Sequence, residues 1–292
     1  MSEHPLLVAG ATGYGAWPAN SLEGARRCLA VPEVDGIEID VQLTADGHVI
    51  AHHDYRLSTS LARLDGQWLA APSAPIKTLT LDEVLRHDVG RAKPGSEYTQ
   101  RYPDREEMDG VRTPTLDALL ETMRAAPGRR RLIYVEIKTD PQNPEDAPAP
   151  QAAVDAVFDA LEAADYVDHA KIIAFDWQVL RLSRERVPTV RTAHLTIPAA
   201  LSAKPASPSG RSPWTDGFDA VDHGGSELAA IKAHGGMEWS PYFTDVSPEA
   251  MAEAKALGLL VGPWGLSAGD DIRRMAALGV YSSTVSGFDW GL

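Results

Sequence analysis

The chain has 292 residues, 44% hydrophobic and 23% charged, which suits a globular protein with a large core and leaves little room for disorder. With 27 basic against 41 acidic residues it carries a formal charge of −14, so its surface as a whole repels nucleic acid and anionic membranes. The single cysteine, Cys28, excludes a disulfide framework and any multi-cysteine metal site, and no run of about 18 apolar residues offers a membrane span. The first ten residues show no basic region ahead of an apolar run, so no signal peptide and a cytoplasmic location are expected.

In chain order, strand-type runs fall at 6–11, 36–43, 49–53, 131–139, 171–176, 190–196, 237–243, 259–264 and 280–286. Amphipathic helical stretches lie between them at 21–30, 115–126, 151–164, 177–187, 247–257 and 270–278. Ser247-Pro248-Glu249 reads as a helix start, and Gly258 and Gly279 sit where helices should stop. Alternation of this kind implies a parallel sheet, and nine candidates predict a closed (β/α)8 TIM barrel in which one candidate is short, peripheral or no strand at all. The runner-up, a doubly wound open sheet, wants a G-x-G-x-x-G turn, and Gly10, Gly13 and Gly15 fall at the wrong offsets. One domain is expected over 1–292, with loop insertions near 88–113 and 197–217. The stretch 141–150 follows a strand directly and is expected to help shape a pocket.

Strict alternation over 36–43 puts Ile37, Ile39, Val41 and Leu43 on one face and Glu38, Asp40 and Gln42 on the other. A parallel barrel strand has no freely solvated face, so two neighbouring carboxylates there need a cation. The strand at 131–139 repeats the pattern, with Glu136 and Lys138 on one face near its C-terminal end, where barrel enzymes carry their chemistry. Three carboxylates from two strands make a hard-cation site suited to Mg²⁺ or Ca²⁺. A purely structural Glu136–Lys138 pair is the plainer alternative. His53 ends an apolar run beside Asp54, at the same mouth, and is the candidate acid or base.

Taken in order, these residues resemble the glycerophosphodiester phosphodiesterase family: Glu38-Ile39-Asp40-Val41-Gln42-Leu43-Thr44 with Asp46-Gly47, then His53-Asp54, then Glu136-Ile137-Lys138. The resemblance extends over nearly the whole chain. Pro18-Ala19-Asn20-Ser21-Leu22 falls where the family has P-E-N-T-L, Ala174-Phe175-Asp176 where it has S-F-D, and Trp264-Gly265-Leu266-Ser267 where it has W-T-V-N. It implies a (β/α)8 barrel holding one divalent cation on Glu38, Asp40 and Glu136, and cleavage of a phosphodiester in a small, anionic substrate. His53 then matches the second of two proton-exchanging histidines, Lys138 the phosphate-side lysine, and Trp264 falls at the mouth, where it is either an aromatic wall or a plain core tryptophan.

The family's first strand ends in H-R-G. Counting back from Pro18 gives Gly10, Ala11 and Thr12 there, and a one-residue shift gives Ala11, Thr12 and Gly13, so neither supplies the histidine or the arginine. Ala19 also replaces the glutamate of P-E-N-T, and Tyr281 to Ser286 replaces D-G-I-I-T-D. Losing a positioned acid or base typically costs about 10² to 10⁴ in rate. Asp65, Asp176, His194, Glu238 and His223 could supply a substitute, but nothing in the sequence selects among them; His194 sits near a strand end, yet a structural role is the favoured reading for it. The glycine-rich segment 10–15 is either an anion-binding loop or a tolerant turn. Trp17, Trp177, Trp214, Trp239 and Trp290 read as core or loop anchors, and Cys28 as a core filler. The leading expectation is a divergent metal-dependent phosphodiesterase-like hydrolase lacking one catalytic histidine. The alternatives are a binding protein that turns nothing over, and a barrel acting on a sugar-like or lactone-like molecule.

Overall fold

The computed structural model describes residues 4–202, 210–267 and 269–286, so Trp290 lies outside the described residues. In chain order the strands are β1 (Leu6–Ala9), β2 (Gly36–Leu43), β3 (Val49–Ala51), β4 (Arg63–Leu64), β5 (Gln67–Trp68), β6 (His87–Asp88), β7 (Leu132–Ile137), β8 (Ala170–Ala174), β9 (Arg191–Thr196), β10 (Glu238–Pro241), β11 (Leu260–Val261) and β12 (Ser282–Val285). The helices are α1 (Leu22–Leu29), α2 (Leu81–Leu85), α3 (Glu97–Arg101), α4 (Leu116–Ala125), α5 (Pro150–Ala163), α6 (Trp177–Arg186), α7 (Glu227–Ala233), α8 (Pro248–Ala256) and α9 (Gly269–Leu278).

Eight strands run parallel in the order β11-β10-β9-β8-β7-β2-β1-β12. The two ends of this order meet through separate backbone bonds: Tyr281 N–H to Val261 O (2.7 Å), Thr284 N–H to Pro263 O (2.9 Å) and Ser286 N–H to Leu266 O (2.8 Å). The result is the expected TIM barrel, nearly closed. Its peripheral ninth candidate is β3, which pairs antiparallel with β2 and stops at Ala51, short of the predicted His53.

Helix boundaries follow from local chemistry. The hydroxyls of Ser21, Thr115, Ser226 and Ser247 each accept an N–H of the first turn of α1, α4, α7 and α8. Gly258 and Gly279 follow α8 and α9 at φ 68° and 79°, a region that only glycine enters freely. The helix α7 escapes the sequence pattern because it is only seven residues long. The first strand also ends earlier than predicted, at Ala9, because Gly10–Thr12 turns as a single 3-10 element.

The alternation of β2 sorts its side chains as predicted. Ile37, Ile39 and Val41 join the layer between sheet and helices, together with Leu116, Leu119 and Leu120 of α4 and Cys28 of α1. Each such aliphatic chain contributes about 1.5–3 kcal/mol on full burial. Trp17, Trp177 and Trp239 belong to the same core, and Trp214 is buried as well. Val8, Tyr134, Ile173, Ala193 and Leu195 pack together in a separate cluster, with Phe175 and Trp264 against it. A Lys171–Glu238 ion pair of 2.7 Å is buried there, the ammonium 3.9 Å from the centre of the Tyr134 ring.

Candidate active site

Parallel pairing of β2 with β7 sets Asp40 directly opposite Glu136, and Glu38 lies two residues earlier on the same face of β2. Ligand oxygens of Glu38, Asp40 and Glu136 come within 4.8 Å of one another, and all three residues are buried. Lys138 reaches between the strands, with Nζ 2.9 Å from Asp40 Oδ1 and 2.6 Å from Glu136 Oε1. Asn20, at φ 51°, donates its amide to Asp40 Oδ2 (2.9 Å) and accepts the Asp40 N–H on its Oδ1 (3.1 Å). The Ala11 N–H donates to Glu38 Oε2 at 2.7 Å.

These contacts set the charge state. Burial, reinforced by the charges of Asp40 and Glu136, pushes the Glu38 carboxyl well above the usual range, against the pull of the Ala11 N–H and Lys138. Burial opposes ionisation of Asp40 too, yet Lys138, His53 and the Asn20 amide outweigh it and hold Asp40 below the usual range. At Glu136 burial wins over Lys138 and the shift is upward. Burial disfavours the Lys138 ammonium, but the two carboxylates reverse that and hold it above its ordinary value. Ionising all three carboxyl groups against one ammonium would leave negative charge unbalanced in a buried place, which is why Glu38 and Glu136 are held upward. An all-oxygen donor set with that excess fits a hard divalent cation, as expected for Mg²⁺ or Ca²⁺.

His53 lies past the end of β3, two residues beyond Ala51, with its side chain 68% exposed. The backbone of the preceding residue is anchored, since the His52 N–H donates to Asp40 O at 2.9 Å. His53 Nδ1 lies 2.7 Å from Asp54 Oδ1. Lys138 and desolvation push the imidazole down, but Asp40 and Asp54 prevail and raise it above its ordinary value. Trp264 stands edge-on to Phe175 and Tyr242, ring centres 5.8 Å and 5.0 Å away, and donates its indole N–H to Thr196 O (3.2 Å). All six predicted site residues, Glu38, Asp40, Glu136, Lys138, His53 and Trp264, line one cavity of about 700 Å³.

The five candidate substitutes do not line that cavity. His194 turns outward against Trp177, its Nε2 2.9 Å from His234 Nδ1, and burial keeps it well below its ordinary value. Asp176 caps α6, accepting from Gln178 N–H and the Thr139 hydroxyl, and burial pushes it up to about 6. Glu238 is spent on Lys171, His223 stacks on Phe218, and Asp65 occupies the β4–β5 turn at φ 50°. In the 10–15 segment the N–H groups of Ala11, Gly13, Tyr14 and Gly15 donate within the protein, as in the turn reading of this stretch. The stretch 141–150 is absent from the cavity lining. It packs instead through Asp146 on Arg56 and the Pro144 carbonyl on Lys77.

Sequence reasoning assigned no role to Asn20, although it lies in the quoted Pro18–Leu22 motif. It also missed an aromatic and basic wall made by Tyr14 and by Tyr98, Arg101 and Tyr102 of the 88–113 segment. The Tyr102 ring meets Tyr14 edge-on at 5.3 Å and Tyr98 at 5.3 Å, with Arg101 5.5 Å over Tyr102. No periodicity marks a contact between residues this far apart in the chain.

The model of the glycerophosphoryl diester phosphodiesterase family matches residues 11–283. A glycerophosphodiester phosphodiesterase of Caldanaerobacter subterraneus subsp. tengcongensis is 24% identical over 263 residues, which is 90% of this chain and 86% of the relative. Among solved structures, a Silicibacter pomeroyi DSS-3 protein assigned as a glycerophosphoryl diester phosphodiesterase superposes with a TM-score of 0.85 at 29% identity, covering 97% of this chain and 90% of that one. An Oleispira antarctica phosphodiesterase, solved with its product sn-glycerol-3-phosphate, gives a TM-score of 0.68 at 16% identity over 97% and 93% of the two chains. With a barrel of this topology and a matching region that takes in both acidic strands, the chain belongs to the glycerophosphoryl diester phosphodiesterase family.

Proposed function

We propose that the chain hydrolyses phosphodiesters of the glycerophosphodiester class with one divalent cation, Mg²⁺ or Ca²⁺, held by Glu38, Asp40 and Glu136. The observation that carries this reading is the convergence of three buried carboxylates within 4.8 Å in a cavity that also contains His53 and Lys138. When bound, such a cation polarises the phosphoryl oxygens and offsets the charge that develops on them. Lys138 contributes a fixed positive charge to the phosphoryl group from its seat between Asp40 and Glu136. His53, the exposed proton carrier of the mouth, exchanges a proton with an attacking or departing oxygen, and Asp54 orients its ring. Trp264 offers an apolar wall to the alcohol portion of a small, anionic substrate. A glycerol phosphate moiety as the bound group is supported by the product held by the Oleispira relative.

One observation favours a second reading. Neither alignment of Gly10 to Gly13 with the family's H-R-G puts a histidine or arginine at the end of β1, and we infer from this that the chain works without one of the family's two proton-exchanging histidines. A member that binds cation and ligand without turnover, or one acting on a sugar-like or lactone-like molecule, has the same floor. Turnover of glycerophosphodiesters and of bis(p-nitrophenyl) phosphate, with and without EDTA, separates the readings. Activity lost in EDTA, restored by Mg²⁺ or Ca²⁺ and abolished in Glu136→Gln supports hydrolysis. Cation binding without turnover of either ester overturns it in favour of the second.

A further inference from the structure

The end of β1 carries a rearrangement that bears on the missing proton carrier. A Cβ built on Gly10 lies 3.3 Å from Thr284 Cγ2 and from Val285 O, and 3.6 Å from Cε1 of Tyr14. The Tyr14 ring therefore packs against the space a side chain at Gly10 would enter. The chain brings it there by turning back on itself: Ala11, Thr12 and Gly13 take φ of 40°, 57° and 85° in succession, and the Gly13 and Tyr14 N–H groups both bond to Gly10 O. Positive φ is a genuine strain for a β-branched residue such as Thr12. The surroundings hold it in place. Thr12 Oγ1 accepts the Ser21 N–H (3.0 Å), Thr12 O accepts the Trp17 indole N–H (3.0 Å), and Gly24 leaves room for that carbonyl, since a Cβ there would lie 2.5 Å from it. From the other side the 88–113 segment pins Tyr14, through the Tyr102 ring and through the Tyr98 hydroxyl, which donates to Tyr14 O at 3.3 Å. Held in this way, Tyr14 lines the cavity together with Glu38, Asp40, Glu136 and His53.

We propose that Tyr14 is the proton donor to the leaving alcohol, an acid supplied by the β1–α1 turn in place of a strand-end histidine. This rests on the phosphodiesterase reading above. In the step, a water oxygen bonds to phosphorus, and the bond between phosphorus and the alcohol oxygen breaks with its electron pair on that oxygen. The Tyr14 hydroxyl proton passes to that oxygen. His53 takes the proton lost by the water, and that proton returns through solvent to the tyrosinate.

The test is leaving-group dependence in Tyr14→Phe, which removes one oxygen and keeps the ring. A glycerophosphodiester needs its departing alkoxide protonated, whereas p-nitrophenolate leaves as a stable anion. For Tyr14→Phe, kcat on the glycerophosphodiester is expected to fall by about 10²-fold or more, with bis(p-nitrophenyl) phosphate retained within about threefold. Thermal unfolding of the variant serves as the control for folding. Equal losses on both esters, or no loss on either, overturn the role of Tyr14 while leaving the phosphodiesterase reading in place. A wild-type chain that turns over neither ester in the presence of cation overturns both, a different result from any given by the variant.

Discussion

Lys138→Met removes an ammonium lying 2.9 Å from Asp40 and 2.6 Å from Glu136 and replaces it with an apolar chain of similar length. Removing one partner of a buried ion pair costs about 3–5 kcal/mol, because the remaining charges lose their compensation. For 292 residues the unfolding entropy at the midpoint is roughly 0.6 kcal/mol/K, so Tm in EDTA should fall by about 5–8 °C. A divalent cation supplies the missing compensation. At a concentration near 100 times its Kd it restores about 2.7 kcal/mol, or about 4 °C on the same scale. In the wild type the ammonium competes with the cation for the same two carboxylates, so the rise in Tm on adding Mg²⁺ or Ca²⁺ should be larger in the variant. Thermal unfolding of both proteins, in EDTA and in saturating cation, measures this directly. An equal or smaller rise in Lys138→Met would refute the placement of the ion on Asp40 and Glu136.

His53→Ala should lower metal-dependent kcat by about 10²-fold or more while leaving cation affinity nearly unchanged, read by steady-state kinetics beside calorimetric titration. Asn20→Ala deprives the buried Asp40 N–H and carboxylate of their partner and places alanine at φ 51°; a loss of about 1–3 kcal/mol in denaturant unfolding and weaker cation binding are expected. His234 is pushed down to about 4, chiefly by burial and then by Arg184, from an ordinary value of 6.5. Between those values the unfolded chain binds the proton that the folded chain refuses, so stability from this group falls as pH drops from 6.5 toward 4. His234→Gln should remove that dependence, seen as a smaller loss of Tm across the same window. An unchanged acid slope would count against it.

The acidic strands were legible because a barrel strand writes its two faces into the chain at period two, and Glu38, Asp40 and Glu136 fall on the inward phase. That one of nine strand candidates lay outside the barrel was legible, but not which one; β3 is folded back antiparallel on β2 by the turn at Asp46-Gly47. His53 was expected to end its strand and instead lies two residues beyond it. His194 takes the helix side with Trp177 and His234, the structural role the sequence favours for it, since a strand's period does not say which phase faces inward. Tyr14 and the Tyr98–Tyr102 wall were invisible for a different reason. Their meeting depends on a strained turn and on the path of the 88–113 segment, neither of which leaves a periodic trace.

Pairing β2 on one side with β7 and on the other with a hairpin arm ties several functions to one count of residues. Deleting Gly36 or Ile37 would bring Ile39 and Val41 to the places of Glu38 and Asp40 at the cavity floor and would also shift the segment that leads to His53. Divergence by gain or loss of length is thereby barred in this stretch. It is admitted at 88–113, where a longer or shorter arm would remodel the chamber's rim and leave its acidic base intact.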